Sequence, residues 1–240
     1  MTYLFQETGD SDASNNYYFD VAAGKITGTT HLNKFGYNEG LTSSYEPIWD
    51  GSTTYTYNSY AQVLKVTSDD AADNTATIEV QGLDSDYNLA YETLTVGGGN
   101  GTTKFIRVFR AVMKTHPTEV ENQGAITIAN DSDVALAKIL ETNGQTLMAL
   151  YTVPLGKTAY LTHFMGTVDK SNDAIFQIRS RKLNGNIFNV KAQFGTFAAP
   201  VTYEYEVPLV FTEKTDIEIR AKAGSTMGGG ATFDLVLIDN

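Results

Sequence analysis

Apolar and polar residues alternate in short segments from residue 61 to the end of the chain. In the segment 76–83, Ile78 and Val80 alternate with Glu79 and Gln81. A period of two residues places successive side chains on opposite faces of a strand, so each such segment predicts a half-buried β-strand. The predicted strands are 61–67, 76–83, 87–96, 103–115, 125–129, 146–153, 158–168, 174–183, 187–197, 202–211, 216–221 and 232–238.

Turn-forming residues separate these segments. Asn184-Gly185 lies between two alternating segments and predicts a hairpin, because both central residues of such a turn need positive φ. Only 133–141 could form a longer helix, and its apolar residues fit a bulged strand equally well. Many short strands with almost no helix predict an all-β fold, an antiparallel β-sandwich of the jelly-roll kind. We expect one continuous sandwich body over 58–240, with a subdivision near residue 142 as the alternative.

The first 57 residues show no sustained period and are rich in Gly, Asn, Asp, Ser, Thr and Tyr. This composition predicts an irregular N-terminal arm over 1–57, with at most one helical turn at 20–25. The arm nevertheless carries many large aromatic residues, the types that dominate interface energies when buried in partner pockets. The alternative is that they cover the open end of the protein's own sandwich. The predicted partner-binding residues are Phe5, Tyr17, Tyr18, Phe35, Tyr37, Tyr45 and Trp49.

Composition argues against several function classes. The formal net charge is −11, with 28 acidic and 17 basic residues, so we expect no nucleic acid partner. There is no cysteine, which removes disulfides, thiolate catalysis and cysteine-bound zinc. No apolar run approaches the roughly 20 residues of a membrane span, and the N-terminus lacks the basic start and apolar core of a signal peptide. We therefore expect no membrane contact and synthesis in the cytoplasm.

Residues that could carry catalysis are sparse. His31, His116 and His163 each stand alone, without the paired spacing of zinc ligands. Two carboxylates could make a glycosidase, but all the acidic candidates except Asp234 fall on the polar phase of their strands. We expect no enzyme activity and no cofactor, and a glycan hydrolase ranks last among the alternatives. The acidic candidates are Glu79, Glu92, Glu204, Glu206, Glu218 and Asp234.

The segment 84–88 looks like the start of a calcium-binding loop. Leu89 and Thr95 occupy the positions where an EF-hand needs Gly and Glu, which excludes that motif. A looser calcium site built from loop carboxylates stays open.

Eight segments form an ordered set of motifs: LNKFG at 32–36, IWDG at 48–51, IEVQGLD at 78–84, FIRVFR at 105–110, QTLMALYTVP at 145–154, GKTAY at 156–160, KTDI at 214–217 and FDLVLID at 233–239. Together these segments resemble a family of virion structural proteins of tailed bacteriophages, especially those that infect marine bacteria. They occur in the same order over residues 32 to 239, so the likeness covers most of the chain. Each motif is structural rather than chemical, and the ordered set carries the resemblance.

The resemblance implies a non-enzymatic particle component with a β-sandwich body. It points to a capsid decoration (cement) protein on the capsid surface, and it brings no catalytic residue. We accordingly expect the major capsid protein as partner. Strand edges that must be hidden predict a homo-oligomer, with a trimer favoured. The alternative is a head-fibre or tail-fibre module whose Tyr-rich loops bind host surface glycans.

Overall fold

The structure is a computed structural model that describes residues 17–51, 54–169 and 173–240. It is 57% strand and 4% helix, and every pairing between its strands is antiparallel. The predicted all-β sandwich class is confirmed. Within the described ranges, no helix is long and apolar enough to cross a membrane.

The strands lie close to where alternation predicted them. A short helix, α1 (Tyr17–Ala22), precedes them and overlaps the predicted helical turn. The strands are β1 (Thr29–Leu41), β2 (Glu46–Pro47), β3 (Leu64–Ser68), β4 (Thr77–Leu83), β5 (Leu89–Thr95), β6 (Arg107–Thr115), β7 (Ile126–Asn130), β8 (Ala135–Ile139), β9 (Leu150–Thr152), β10 (Lys157–Val168), β11 (Asp173–Arg181), β12 (Asn189–Phe197), β13 (Val201–Phe211), β14 (Asp216–Ala223) and β15 (Met227–Asp239).

Two of the sheets form a jelly roll. One sheet has the order β1-β15-β10-β13, and the other has β12-β11-β14 with both β2 and β9 on the far edge of β14. If β2 and β9 are taken as two halves of one strand, the chain order becomes 1-8-3-6 in one sheet and 5-4-7-2 in the other. This is the strand order of two nested Greek keys.

A second sandwich is inserted between β2 and β9, the two halves of the strand that pairs with β14. Ile48 donates its backbone N–H to Ile219 (3.0 Å), and Ile219 in turn donates to Ala149 (3.1 Å). The chain therefore leaves the strand after Ile48 and re-enters it at Ala149. The intervening residues build two three-stranded sheets, β3-β7-β8 and β5-β4-β6, which enclose their own cluster of buried side chains.

The junction between the two sandwiches is a narrow antiparallel neck. Trp49 bridges Met148, and Asp50 donates its N–H to the Leu147 carbonyl (3.1 Å). Gly36 of β1 lies directly against this neck, where a Cβ would overlap the Ala149 nitrogen and the Ile48 oxygen. No residue other than glycine fits there without displacing backbone.

The predicted irregular arm is wrong for residues 29–41, which form the long strand β1 paired with β15. The usual pattern of apolar residues inside and polar residues outside is reversed in this strand. Lys34, Gly36 and Asn38 face the interior, while the aromatic Phe35 faces outward. Lys34 reaches a buried acceptor, the Phe109 carbonyl, so a polar residue can occupy the inner face.

The strand pairing also corrects the single continuous sandwich expected over 58–240. The part of the chain that the structure describes contains four sheets, and the break falls at the neck, around residues 49 and 148. The ambiguous segment 133–141 contains the strand β8. Whether the chain also divides into separate folding units stays a prediction.

Candidate interaction surface

Three consecutive aromatic side chains are exposed on α1. Tyr17, Tyr18 and Phe19 are 50%, 61% and 69% exposed, while Val21 of the same helix is buried. The helix thus buries Val21 against the body, while its three aromatic side chains stay largely exposed. Large exposed aromatic groups of this kind mark interaction surfaces.

The other predicted partner-binding residues are not gathered with them. Phe35 is partly exposed on the outer face of β1, and the Tyr37 hydroxyl beside it donates to Asp169. Partial burial raises the pKa of Tyr37 to about 12. Tyr45 lies across the molecule, with the Arg179 guanidinium 4.9 Å above its ring. Phe5 lies outside the described residues.

Trp49 is a core residue, which corrects its placement at the surface. It is buried in the neck and contacts Tyr55 edge to face, with 5.1 Å between ring centroids. The sequence does not reveal that Trp49 is buried, because it lies in a polar N-terminal segment. The strand that ends just before Trp49 continues only at Ala149, far along the chain.

A buried ionic cluster joins the two sandwiches next to the neck. Asp216 of β14 accepts from Arg107 of β6 (2.8 and 3.1 Å) and from Arg181 of β11 (3.1 and 2.6 Å). Thr152 donates a further bond of 2.6 Å. Burial alone would lower the pKa of Arg107, but the ion pair with Asp216 raises it overall. Both guanidinium groups also lie on the ring of Tyr57, at 5.0 and 4.4 Å.

Glu218 extends the cluster. It is fully buried, accepts from Arg220 and lies 3.3 Å from the Tyr57 hydroxyl. Burial raises the pKa of Glu218, and Arg220 opposes that shift. Both carboxylate oxygens of Glu218 already accept hydrogen bonds from Arg220 and Tyr57, so the residue stabilises the packing between sheets. The remaining acidic candidates, Glu79, Glu92, Glu204, Glu206 and Asp234, are spread over both sandwiches.

The fold does bring two of the lone histidines together. On the outer face of the sheet, His31 Nε2 and His163 Nδ1 lie 3.3 and 3.2 Å from the two carboxylate oxygens of Asp234. Asn33 donates to the same carboxylate at 2.7 Å. Sequence spacing could not reveal this group, because its members lie on β1, β10 and β15.

A cavity of about 750 Å³ opens above these side chains. Tyr18 and Ala22 of α1 form one wall, and Glu204, Tyr205 and Glu206 of β13 form another. The Tyr205 hydroxyl is buried and has no hydrogen-bond partner among the described residues. The cavity therefore combines aromatic walls with several acceptors.

Neither calcium nor another metal has a formed site in the described ranges. No group of three His, Cys, Asp or Glu side chains there is arranged to hold an ion. In the predicted calcium-like loop, Asp84 instead accepts the backbone N–H groups of Asp86 (2.9 Å) and Asn88 (3.0 Å), which closes the turn before β5. An acidic cleft of about 740 Å³, lined by Glu39, Asp69, Asp70 and Glu141, lies between the two sandwiches.

The chain has a broad apolar side at the end of the jelly roll. β12 and β13 are the terminal strands of the two facing sheets, and within residues 17–51, 54–169 and 173–240 each has one edge without a partner strand. Phe197 is 70% exposed and Val207 is 82% exposed. Monomeric proteins rarely leave such edges open, because an open apolar edge invites pairing. The exposed apolar residues on this side are Ile187, Val190, Phe197, Tyr203, Val207 and Val210.

No protein-family model and no curated protein matches the chain. Solved structures give weak similarity to infectious bursal disease virus. The structure of its Gt strain aligns with a TM-score of 0.26 and 11% identity, over 87% of this chain and 70% of that one. The subviral particle of its VP2 protein gives 0.24 and 12%, over 88% and 70%. Scores of this size carry no conclusion, so the fold rests on the strand pairing alone.

Proposed function

We propose that the chain is a virion structural protein of a tailed bacteriophage, a capsid decoration (cement) protein that binds the major capsid protein. Three observations support it: the ordered resemblance over residues 32 to 239, the double-sandwich body, and the exposed aromatic side chains of α1. The last of these carries the proposal, because Tyr17, Tyr18 and Phe19 keep half or more of their surface exposed.

Attachment through α1 follows from its geometry. Its aromatic face projects from the outer side of the sheet β1-β15-β10-β13, while Val21 ties the helix to the body. A fully buried aromatic side chain contributes roughly 1.5–3 kcal/mol by area, and several such anchors over an oligomer reinforce one another. Crowded copies on a capsid also suit an acidic, repulsive surface.

The test replaces Tyr17, Tyr18 and Phe19 together by serine. We expect the variant to keep the wild-type melting temperature within a few degrees but to lose co-sedimentation with undecorated capsids. The matched control replaces Tyr60 and Tyr91, comparably exposed tyrosines of the inserted sandwich, by serine. Retained sedimentation of the α1 variant, or equal loss in the control, would contradict attachment through this helix.

The second candidate is a head-fibre or tail-fibre module that binds host glycans. It is favoured by the cavity over Asp234, since sugar rings stack on aromatic walls and donate hydroxyls to acceptors such as Glu204 and Glu206. Binding of host surface polysaccharide that Glu204→Gln weakens would support it. Copy number separates the two, because a decoration protein occurs in hundreds of copies and a fibre in a dozen or fewer.

A further inference from the structure

The two open strand edges of the jelly roll lie on the same side of the molecule. β13 ends one sheet and β12 ends the other. Phe194 of β12 stacks on Phe164 at 4.9 Å and lies 5.4 Å from Tyr203 of β13, so the facing edges are in contact across the core. One partner that approaches this side therefore meets both edges at once.

Each edge carries a bulge, and the two bulges lie at about the same height. In β12, Ile178 pairs with Ala192 and Arg179 with Val190, which leaves Lys191 as the extra residue. In β13, Leu161 pairs with Leu209 and His163 with Glu204, so residues 205–208 bulge opposite Thr162. Counted away from the turn that joins β12 to β13, Thr162 lies two residues from Phe164 and Lys191 lies three residues from Phe194, so the two bulges are at about the same height.

The charges on the two edges are opposite. β12 contains Lys191 and no acidic residue, whereas β13 contains Glu204 and Glu206 and no basic residue. Among the described residues, neither Lys191 nor Glu206 belongs to an ion pair within the chain. Pairing β13 with its own copy would oppose glutamates, and pairing β12 with its own copy would oppose lysines. Pairing β12 of one copy with β13 of another places the lysine of one edge near the glutamates of the other.

We propose that two copies of this chain associate side by side, with β12 of each copy lying against β13 of the other. A two-fold axis parallel to the strands exchanges the two sheets and produces both contacts in one interface. It brings Lys191 to the level of Glu206 of the partner subunit and Val190 to the level of the partner's Val207. The exposed apolar residues are then covered, and the assembly is a dimer rather than the trimer expected from sequence.

The experiment measures association of the free protein by sedimentation equilibrium over a range of concentrations. We expect a monomer–dimer equilibrium. Val207→Asp weakens it by at least tenfold, because each dimer then buries the new charge twice. Lys191→Glu and Glu206→Lys alone each weaken it by on the order of tenfold, and the double variant K191E/E206K restores most of the affinity.

Matched controls come from the inserted sandwich, where Val120 is 99% exposed and its neighbour Glu121 is also exposed. Val120→Asp and Glu121→Lys should leave the dimer unchanged, and circular dichroism should show every variant folded. A monomer at all concentrations, a trimer, or a dimer insensitive to Val207→Asp and to charge reversal would overturn the proposal. A monomer whose Val207→Asp variant fails to bind capsids would assign this side to the major capsid protein instead. Capsid binding through α1 is measured separately, so either proposal can fail alone.

Discussion

Single buried polar groups set the electrostatic behaviour of this protein. Asp50 lies in the neck, where Oδ2 accepts the Leu147 N–H at 2.7 Å. Its other oxygen, Oδ1, has no hydrogen-bond partner among the described residues. Burial raises the pKa of Asp50 to about 7, because a carboxylate that has lost water and gained only one donor is costly to ionise.

Asp50 should make the protein less stable as the pH rises. Between its unfolded value of 3.8 and its folded value of about 7, the folded state binds more protons than the unfolded state. The free energy of unfolding therefore falls in this window, by up to about 1.4 kcal/mol for each pH unit. We expect the Asp50→Asn variant to lack this fall, as measured by urea unfolding at several pH values from 4 to 8.

The difference between the unfolding free energies of the wild type and Asp50→Asn at each pH cancels the contributions of all other titratable groups. Lys34 does not confuse the result, since burial lowers its pKa to about 7 and its own window lies above that, where stability rises with pH. Parallel wild-type and Asp50→Asn curves between pH 4 and 7 would show that Asp50 is ionised in the fold.

Contacts between side chains of distant strands can hardly be predicted from the sequence alone. Asp234 was distinguished only as an acid out of phase with its strand, and His31 and His163 as isolated histidines. Their meeting depends on the register of β1 and β10 against β15. Register is a tertiary property, because it follows from which strands become neighbours.

At the scale of elements, alternation located strands well and failed where a strand has an unusual inner face. β1 buries Lys34, Gly36 and Asn38, so a pattern that seeks apolar residues every second position cannot detect it. Glycine is required there by the close approach of the neck, and the lysine is accommodated by a backbone acceptor.

The length of the N-terminal truncation should therefore decide whether the protein folds. A chain that begins at Lys25 keeps β1 and should unfold cooperatively. A chain that begins at Asn58 loses β1 together with Leu41, Ile48 and Trp49, all of them buried. At roughly 1.5–3 kcal/mol for each large side chain, this loss is comparable with the whole stability of a domain.

Near-ultraviolet circular dichroism during heating checks this expectation. The longer chain should show a single sharp transition, and the shorter one should show no fixed aromatic signal at 25 °C. A cooperative transition in the chain that starts at Asn58 would mean that β1 is dispensable to the body.

At the scale of the whole molecule, the sandwich class followed from composition and alternation, but the nesting of one sandwich within another did not. An insertion leaves no local signal when its ends continue a strand on either side. The segment 146–153 was predicted as one strand, and the structure uses part of it in the neck and part in β9. Which part belongs to which sandwich is determined by pairing with β14, many residues away.

The ionic cluster around Asp216 should hold the two sandwiches together. Asp216→Asn leaves the buried guanidinium group of Arg107 and the partly buried one of Arg181 without their counter-charge, which costs about 3–5 kcal/mol. We expect calorimetry of this variant to show a lower melting temperature and a broadened or divided transition.

The matched control is Glu79→Gln, which removes a carboxylate from a partly exposed ion pair with Lys114. Such pairs contribute less than about 1 kcal/mol, so its melting temperature should stay close to that of wild type. Equal effects of the two substitutions would show that the Asp216 cluster is no more important than a surface pair.

Because the second sandwich is inserted between the two halves of one strand, β2 and β9, the jelly roll can accept a different domain at the same position. The two ends of the inserted sandwich are one hydrogen bond apart, with Ala149 N donating to Ile48 O at 2.9 Å. Recombination can replace the residues between them without interrupting the strand pairing of the jelly roll, as domain insertion generally requires. A foreign domain with adjacent termini could be displayed at this position, provided that it covers the core side chains that Leu83, Ile106 and Phe109 now contact. Asp216 and Lys34 must also be replaced, because they lose Arg107 and the Phe109 carbonyl.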